Sequence, residues 1–415
     1  MIVHRSADKL IVSILVILCT IFIAFRQILH ADNLICVAML MLIACLLYIK
    51  RNRLLVTNDS PIIAWVICVC WMAFSSLHTY STLSGIKVTV VFATFTLCGI
   101  VLTTEIGWYD LFIGAMKKLL CFHMLFTFFQ LGAPKTALKV TGVFLDSESQ
   151  SLTREWIEQN GNYAGISGQT MINAFYFVML GGICASELYL NKTKSSVKAV
   201  NIIILGLSYV ALVLTGKKGA LLAVSFSIAL IMFVSALSKK KHLKLMFGIL
   251  VSIGVGAIFI LIKMSDNFFN KAFETSVVSR ERILYNAKQI FKVHPWFGSG
   301  TDSIAYYIGH STHNIYIQFL CEYGIIGAII FIFIFMFIYV ISVSRAYELS
   351  ANESGFETDV GKLYLLIYFC SFILINGFTE NTLLTYQIFL PYMLLLAAAY
   401  QPAYLRGEYD EKTTK

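Results

Sequence analysis

The stretch STHNIYIQFLCEYGIIGAIIFIFIFMFIYVISVSR, residues 311–345, decides what kind of protein this is. Between Asn314 and Val343 its only charged residue is Glu322, and the remainder is dominated by Ile, Phe and other apolar side chains. A run of about 20 apolar residues crosses the roughly 30 Å hydrocarbon core as a helix, because a helix satisfies its own backbone where no water can. This stretch is therefore a membrane span. Its beginning is less simple, since a histidine and an asparagine stand where neither water nor hydrocarbon would ask for them.

The rest of the chain agrees with that reading. Of 415 residues, 58% are hydrophobic and 13% charged, and the mean hydropathy is +0.77. These values lie far outside the range of a soluble domain and define an all-α, polytopic membrane protein. Apolar runs separated by polar breaks predict twelve spans, at 8–28, 34–49, 61–77, 87–104, 117–133, 165–190, 199–215, 219–237, 244–263, 314–343, 362–377 and 382–400. The first apolar segment, from about Leu10 to Phe25, ends at Arg26 without an A-x-A cleavage signature and reads as a retained span. The ten cysteines sit almost entirely in apolar runs and read as packing side chains rather than disulfide or metal ligands. The whole chain, 1–415, is expected to form one membrane domain.

Cytoplasmic loops carry an excess of Lys and Arg, so alternate connections should differ. One alternate set, short throughout, holds 19 of the 32 Lys and Arg residues. Both termini, including the tail 401–415, are accordingly expected in the cytoplasm, with the other set of loops outside a cytoplasmic membrane. Two outside places then hold positive charge against the rule, the turn TGKKG (215–219) and the long loop 264–312. A shorter external loop is expected at 134–164. The net charge of +9 is scattered through short loops, which argues against a nucleic-acid partner.

Loop 264–312 is longer than a simple connection needs. Its middle, SRERILYNAKQIFKVHPWFGSG, spaces Ile283, Leu284, Ala287, Ile290 and Phe291 as one face of a helix. His294-Pro295 and the glycines that follow stop it, leaving an amphipathic helix suited to lie along the membrane surface. Arg280, Arg282, Lys217 and Lys218 either contact lipid phosphates or converge on a polyanionic ligand, since Arg offers a planar fork and Lys a point charge. Ser311 or Thr312 suits the N-cap of the next span, which would place His313 and Asn314 in its first turn, at the positive end of the helix dipole. There a histidine is pushed toward its neutral form, so His313 is a candidate general base, with an interfacial anchor as the plainer reading. His310 and His313 could begin a metal site, but no third ligand of suitable spacing accompanies them. Gly324 and Gly327 read as sites where another helix approaches closely. No phosphate-binding G-x-x-x-x-G-K-[ST] loop, dinucleotide fingerprint or ladder of buried charges is present, which disfavours nucleotide-driven or ion-coupled transport.

At these residues the sequence resembles the O-antigen ligase and polysaccharide polymerase (Wzy-like) family of membrane glycosyltransferases. LTGKKGALLA (214–223) is similar to the family's L-T-x-S-R-G-A segment. SRERILYNAKQIFKVHPWFGSG is similar to its external Arg-containing helix ending in h-P-x-x-G-x-G, and HNIYIQFLCEYGIIG to its H-N-x-x-x-x-x-L-x-E-x-G-x-x-G motif. The resemblance covers roughly residues 160–345. It implies a GT-C-like membrane enzyme that transfers a glycan from an undecaprenyl-pyrophosphate carrier to an acceptor hydroxyl, without metal, nucleotide or other cofactor.

Carried over by residue, the resemblance makes His313 the base that activates the incoming hydroxyl. Lys218 falls where the first family arginine is expected, with Lys217 before it, and Glu281 falls at the second, straddled by Arg280 and Arg282. Lys217, Lys218, Arg280 and Arg282 are then the expected pyrophosphate contacts. Asn314 joins the substrate-binding set, as does Glu322, read as a hydrogen-bonder to sugar or as a buried carboxylate partnered by a neighbouring helix. The resemblance points to a polymerase of lipid-linked repeat units, with membrane lipids, a flippase and a chain-length regulator as expected partners. A ligase acting on another acceptor, and a non-catalytic lipid-oligosaccharide flippase, remain the alternatives.

Overall fold

The computed structural model of the chain describes residues 2–49, 60–188, 194–238, 281–351 and 357–401, and these are helical with no strand among them. In chain order the helices are α1 (Ile2–Leu29), α2 (Asp32–Ile49), α3 (Ala64–Ser76), α4 (Thr82–Thr103), α5 (Trp108–Gly132), α6 (Pro134–Thr141), α7 (Ser147–Asn160), α8 (Thr170–Leu188), α9 (Ser195–Leu214) and α10 (Lys218–Ser238). The later ones are α11 (281–293), α12 (Ser303–Ile308), α13 (Ile315–Ala351), α14 (Glu357–Asn376) and α15 (Tyr386–Ala399).

Nine of these helices are long and apolar enough to cross a membrane, and Pro61–Ser76 and Tyr386–Ala399 are shorter apolar helices in the same pattern. The protein is thus a multi-pass helical membrane protein. The expected span at 244–263, residues 264–280 of the long loop, and residues 402–415 of the tail lie outside the described residues. The 134–164 connection holds two helices of its own. Pro134 opens α6 at a position where its missing N–H costs nothing. Asp146 caps α7, its carboxylate accepting from the Ser149 backbone N–H at 2.7 Å.

Burial separates the inner helices from the lipid-facing ones. α8 and α14 are buried over 83% and 78% of their apolar windows, whereas α9 is buried over 22% and turns most of its Ile and Val side chains outward. Ring packing ties the centre together. Trp65 of α3 meets Phe389 and Tyr392 of α15 edge-on at 5.1 and 5.6 Å, and its indole N–H donates to the Tyr392 hydroxyl at 3.3 Å.

The long helix α13 is broken about a quarter of the way along, at its tenth residue. Gly324 has φ 66° and ψ −173°, a combination open essentially to glycine alone. The break would leave backbone groups unpaired inside the membrane protein, and the segment after α11 supplies them. The N–H groups of Ser299 and Gly300 donate to the carbonyls of Cys321 and Glu322 at 2.8 and 2.9 Å, and those of Ile325 and Ile326 donate to Pro295 and Trp296 at 2.8 and 3.3 Å. What approaches Gly324 is therefore the backbone of a loop, with Trp296 O 2.2 Å from where a Cβ would stand, and not the helix expected from its spacing. Gly327 does admit a helix, packing on the Trp71 indole of α3.

The amphipathic pattern of α11 is present, and part of its apolar face packs on protein while Leu284 stays exposed. Ala287 is fully buried against Ile304 and Cys321, with Ile290, Phe291, Ile308 and Ile317 around them, and the Cys321 thiol donates to the Ala287 carbonyl at 3.3 Å. Alternate connections gather at one end of the bundle. Gln27 of α1 bonds Gln169, Arg26 bonds Gln387, Tyr163 N–H reaches Leu214 O, Thr301 bonds Met72 O, and Ser84 bonds Asp302.

Candidate functional site

At that end, Asn314 caps α13. Its side-chain oxygen accepts from the backbone N–H groups of Tyr316 and Ile317, both at 3.1 Å, the second and third helical donors. Ser311 and Thr312 are not the cap, and His313 is not in the first turn. It precedes the helix, in a left-handed conformation at φ 52° that asparagine, aspartate and histidine tolerate better than most residues. Such a backbone persists only where its surroundings impose it. Here the imposing neighbour is the connection between α14 and α15. Ile315 N–H donates to Gly377 O at 2.9 Å and the Asn314 amide donates to Phe378 O at 3.3 Å.

The same connection carries Glu380, which joins the histidine to the basic turn. Glu380 Oε2 lies 3.1 Å from His313 Nδ1, and its Oε1 accepts from Lys217 Nζ at 2.9 Å. The Glu380 side chain is 11% exposed, that of Lys217 30% and that of His313 40%, so the carboxylate is the buried member of the three. Burial alone would raise its pKa, but the Lys217 charge and the His313 hydrogen bond outweigh it and hold the carboxyl at about 2. Gly219 lets α10 come close enough for this contact, because a Cβ there would stand 2.4 Å from the Thr379 hydroxyl.

An ionised carboxylate only accepts, so the hydrogen bond requires the proton of a neutral His313 to sit on Nδ1. Nε2 then carries the lone pair. A base oriented by a buried acid is the arrangement seen in hydrolytic triads, where the acid holds the imidazole in the right tautomer.

The other expected site residues are placed as follows. Lys218 is exposed at the start of α10, beside Lys217. Arg282 is exposed on α11, and among the described residues no hydrogen bond or ion pair joins it to Lys217, His313 or Glu380. Arg280 lies outside the described residues. Glu322 is 2% exposed, and its carboxylate accepts from Gln318 on its own helix at 2.9 Å. Its carboxylate also accepts from the backbone N–H groups of Asp302 and Ile304, at the start of α12. His310 and His313 have ring centroids 6.3 Å apart, and no group of three His, Cys, Asp or Glu side chains surrounds them among the described residues.

Glu380 was not legible among the candidates. Its one sequence signal is position, a lone carboxylate in the short polar break NGFTEN (376–381) between two apolar spans.

Residues 202–332 match the O-antigen ligase family model. The match supports the O-antigen ligase/Wzy-like family and includes Lys217, Lys218, Arg282, His313, Asn314 and Glu322, while Glu380 lies beyond it. No curated protein matches the chain. The O-antigen ligase family supports glycan transfer of the ligase or polymerase type, with a lipid-linked oligosaccharide substrate and a membrane setting.

Proposed function

We propose that the protein is a polymerase joining undecaprenyl-pyrophosphate-linked oligosaccharide repeat units of a surface polysaccharide, at the outer face of the cytoplasmic membrane. The observation that carries the mechanism is the Lys217–Glu380–His313 array at the start of α13. In the reaction, an acceptor sugar hydroxyl attacks the anomeric carbon of the donor. The new glycosidic bond forms as the bond to pyrophosphate breaks, and the electron pair leaves on the lipid pyrophosphate. The hydroxyl proton passes to Nε2 of His313. Positive charge that neutralises the leaving group lowers the barrier without a covalent intermediate. Lys218 and Arg282 are exposed and suited to that task, with Arg280 two residues before Arg282 in sequence. Lys217 has its charge engaged by Glu380, so it serves the base more directly than the phosphate.

The array needs no cofactor for proton transfer, and the reading is of a metal-independent enzyme. Both termini are assigned to the cytoplasm by the distribution of Lys and Arg, and the site then faces outward, where a flippase would deliver substrate and a chain-length regulator would act. A ligase would use the same base and leaving group with a different acceptor.

The test is reconstitution. Purified protein given lipid-pyrophosphate oligosaccharide should extend it into a ladder, and His313→Ala should abolish the ladder while remaining folded. A ladder unchanged by the substitution overturns the base assignment, and transfer only to a different acceptor favours the ligase.

A further inference from the structure

The His313–Glu380 pair is made by two separate loops, and a single side chain beneath it contacts the neighbours of both. Gln318 is 7% exposed, on the first turn of α13 that faces inward. Its Oε1 accepts from the Thr312 backbone N–H at 3.2 Å and from the Asn381 side-chain amide at 2.5 Å. Thr312 immediately precedes His313, and Asn381 immediately follows Glu380. The Thr312 hydroxyl adds contacts to Gln318 Oε1 at 3.3 Å and to Asn381 Oδ1 at 3.4 Å.

The orientation of the Gln318 amide is fixed by its partners. Two N–H groups point at one end, which must therefore be the oxygen, because a rotated amide would set NH2 against two donors. The other end, Nε2, donates to Glu322 Oε1 at 2.9 Å. Glu322 is itself held in place through its backbone, whose carbonyl accepts from Gly300 at the break in α13.

We propose that Gln318, oriented by Glu322, is a positioning residue that sets the register between the His313 loop and the Glu380 loop, and so keeps the proton of His313 on Nδ1. This rests on His313 acting as the base. Among the described residues, the charged and titratable groups in contact with His313 or its carboxylate partner are Glu380 and Lys217 across from it and His310 on its own segment. None of them contacts Gln318 directly, so a change at position 318 reaches the base only through loop register.

Three variants in detergent or nanodiscs test this. Gln318→Leu removes both ends of the amide. Gln318→Glu sets two carboxylates against each other. The exchange Gln318→Glu with Glu322→Gln restores the donor–acceptor pair between positions 318 and 322, since the new carboxylate accepts from Thr312, Asn381 and the new amide. In ¹⁵N-histidine spectra, with the His313 signal assigned by its loss in His313→Gln, wild type is expected to show the Nδ1-protonated form. Gln318→Leu and Gln318→Glu should show a mixture, with kcat at least 10-fold lower, the pH profile of kcat displaced, and KM for the lipid-linked donor within twofold. The exchange should return the wild-type spectrum and profile. An unchanged tautomer and pH profile in Gln318→Leu overturns the proposal, and so does an exchange variant that stays like the single Gln318→Glu. Should Gln318→Leu fail to fold, the comparison of single and exchanged variants decides. The spectrum reports on Gln318 whether or not the enzyme is active, so full activity in His313→Gln would sink the base reading alone.

Discussion

Glu380 Oε2 and His313 Nδ1 meet at 3.1 Å across 67 residues of sequence, and the opposite oxygen of the same carboxylate holds Lys217. The carboxylate has two jobs at once. It orients the imidazole, and it absorbs a cation that would otherwise stand unpaired beside the histidine.

The first prediction concerns catalysis. Glu380→Gln keeps the shape but can present its NH2 to His313, which favours the opposite tautomer with Nδ1 as acceptor. Glycan transfer by this variant should fall by about 10²-fold or more, the scale of a general base that is lost or misdirected. The measurement is kcat on a lipid-linked donor. Activity within threefold of wild type would mean that the pairing is structural only.

A pH dependence of stability follows from the depressed carboxyl. Its reference pKa is 4.5 and its folded value about 2, so as pH falls the unfolded chain takes up the proton first. The stabilisation is complete above about pH 4.5 and is lost as pH falls toward 2, an effect on the order of 3 kcal/mol. Thermal unfolding of wild type in detergent should drop over that window. The drop should be smaller in Glu380→Gln, and parallel curves for the two proteins would refute the assignment.

Lys217 and its partner should couple. Lys217→Met leaves a mostly buried carboxylate with only His313, and after allowance for partial exposure of the pair the cost should be about 1–3 kcal/mol. Adding Glu380→Gln should recover most of that stability without recovering transfer. Independent, additive losses in the double variant would contradict a shared ion pair.

Asn314 offers a test of cap against ligand. Asn314→Ala should lower stability by about 1 kcal/mol, and Asn314→Asp, which can accept the same two N–H groups, should largely keep it. If Asn314→Asp is as stable as wild type yet inactive, the side chain also touches substrate.

The break in α13 should be intolerant of a side chain. Gly324→Ala combines a strained conformation, costing about 1–3 kcal/mol, with a clash on the Trp296 carbonyl. A sharp loss of folded protein is expected. Gly206→Ala in α9, where a Cβ meets nothing within 4 Å, is the control and should be neutral or mildly stabilising.

Much of the architecture is readable in the sequence, because membrane spans are specified by local composition alone. The run after Ile325 needs no tertiary information to be a span. The break at Gly324 was not readable in the same way. Its glycine looks like any small residue at a helix contact, and only the pairing of Ser299, Gly300, Pro295 and Trp296 with the freed backbone distinguishes the two. The cap was misplaced for a related reason. Ser311, Thr312 and Asn314 all carry the right oxygen, and the choice among them depends on where the loop before the helix is anchored, here by Gly377 and Phe378.

The sequence by itself determined the multi-pass helical class, the candidate base at His313 and the lysine pair in the 215–219 turn, since each depends on residue type within a short window. The tertiary structure decided what those residues do to one another. It set Glu380 between Lys217 and His313 and packed Ala287 of α11 on Cys321 of α13. These are contacts between segments tens to hundreds of residues apart, and a hydrogen bond needs its two atoms placed to a fraction of an ångström, which only the packed bundle supplies.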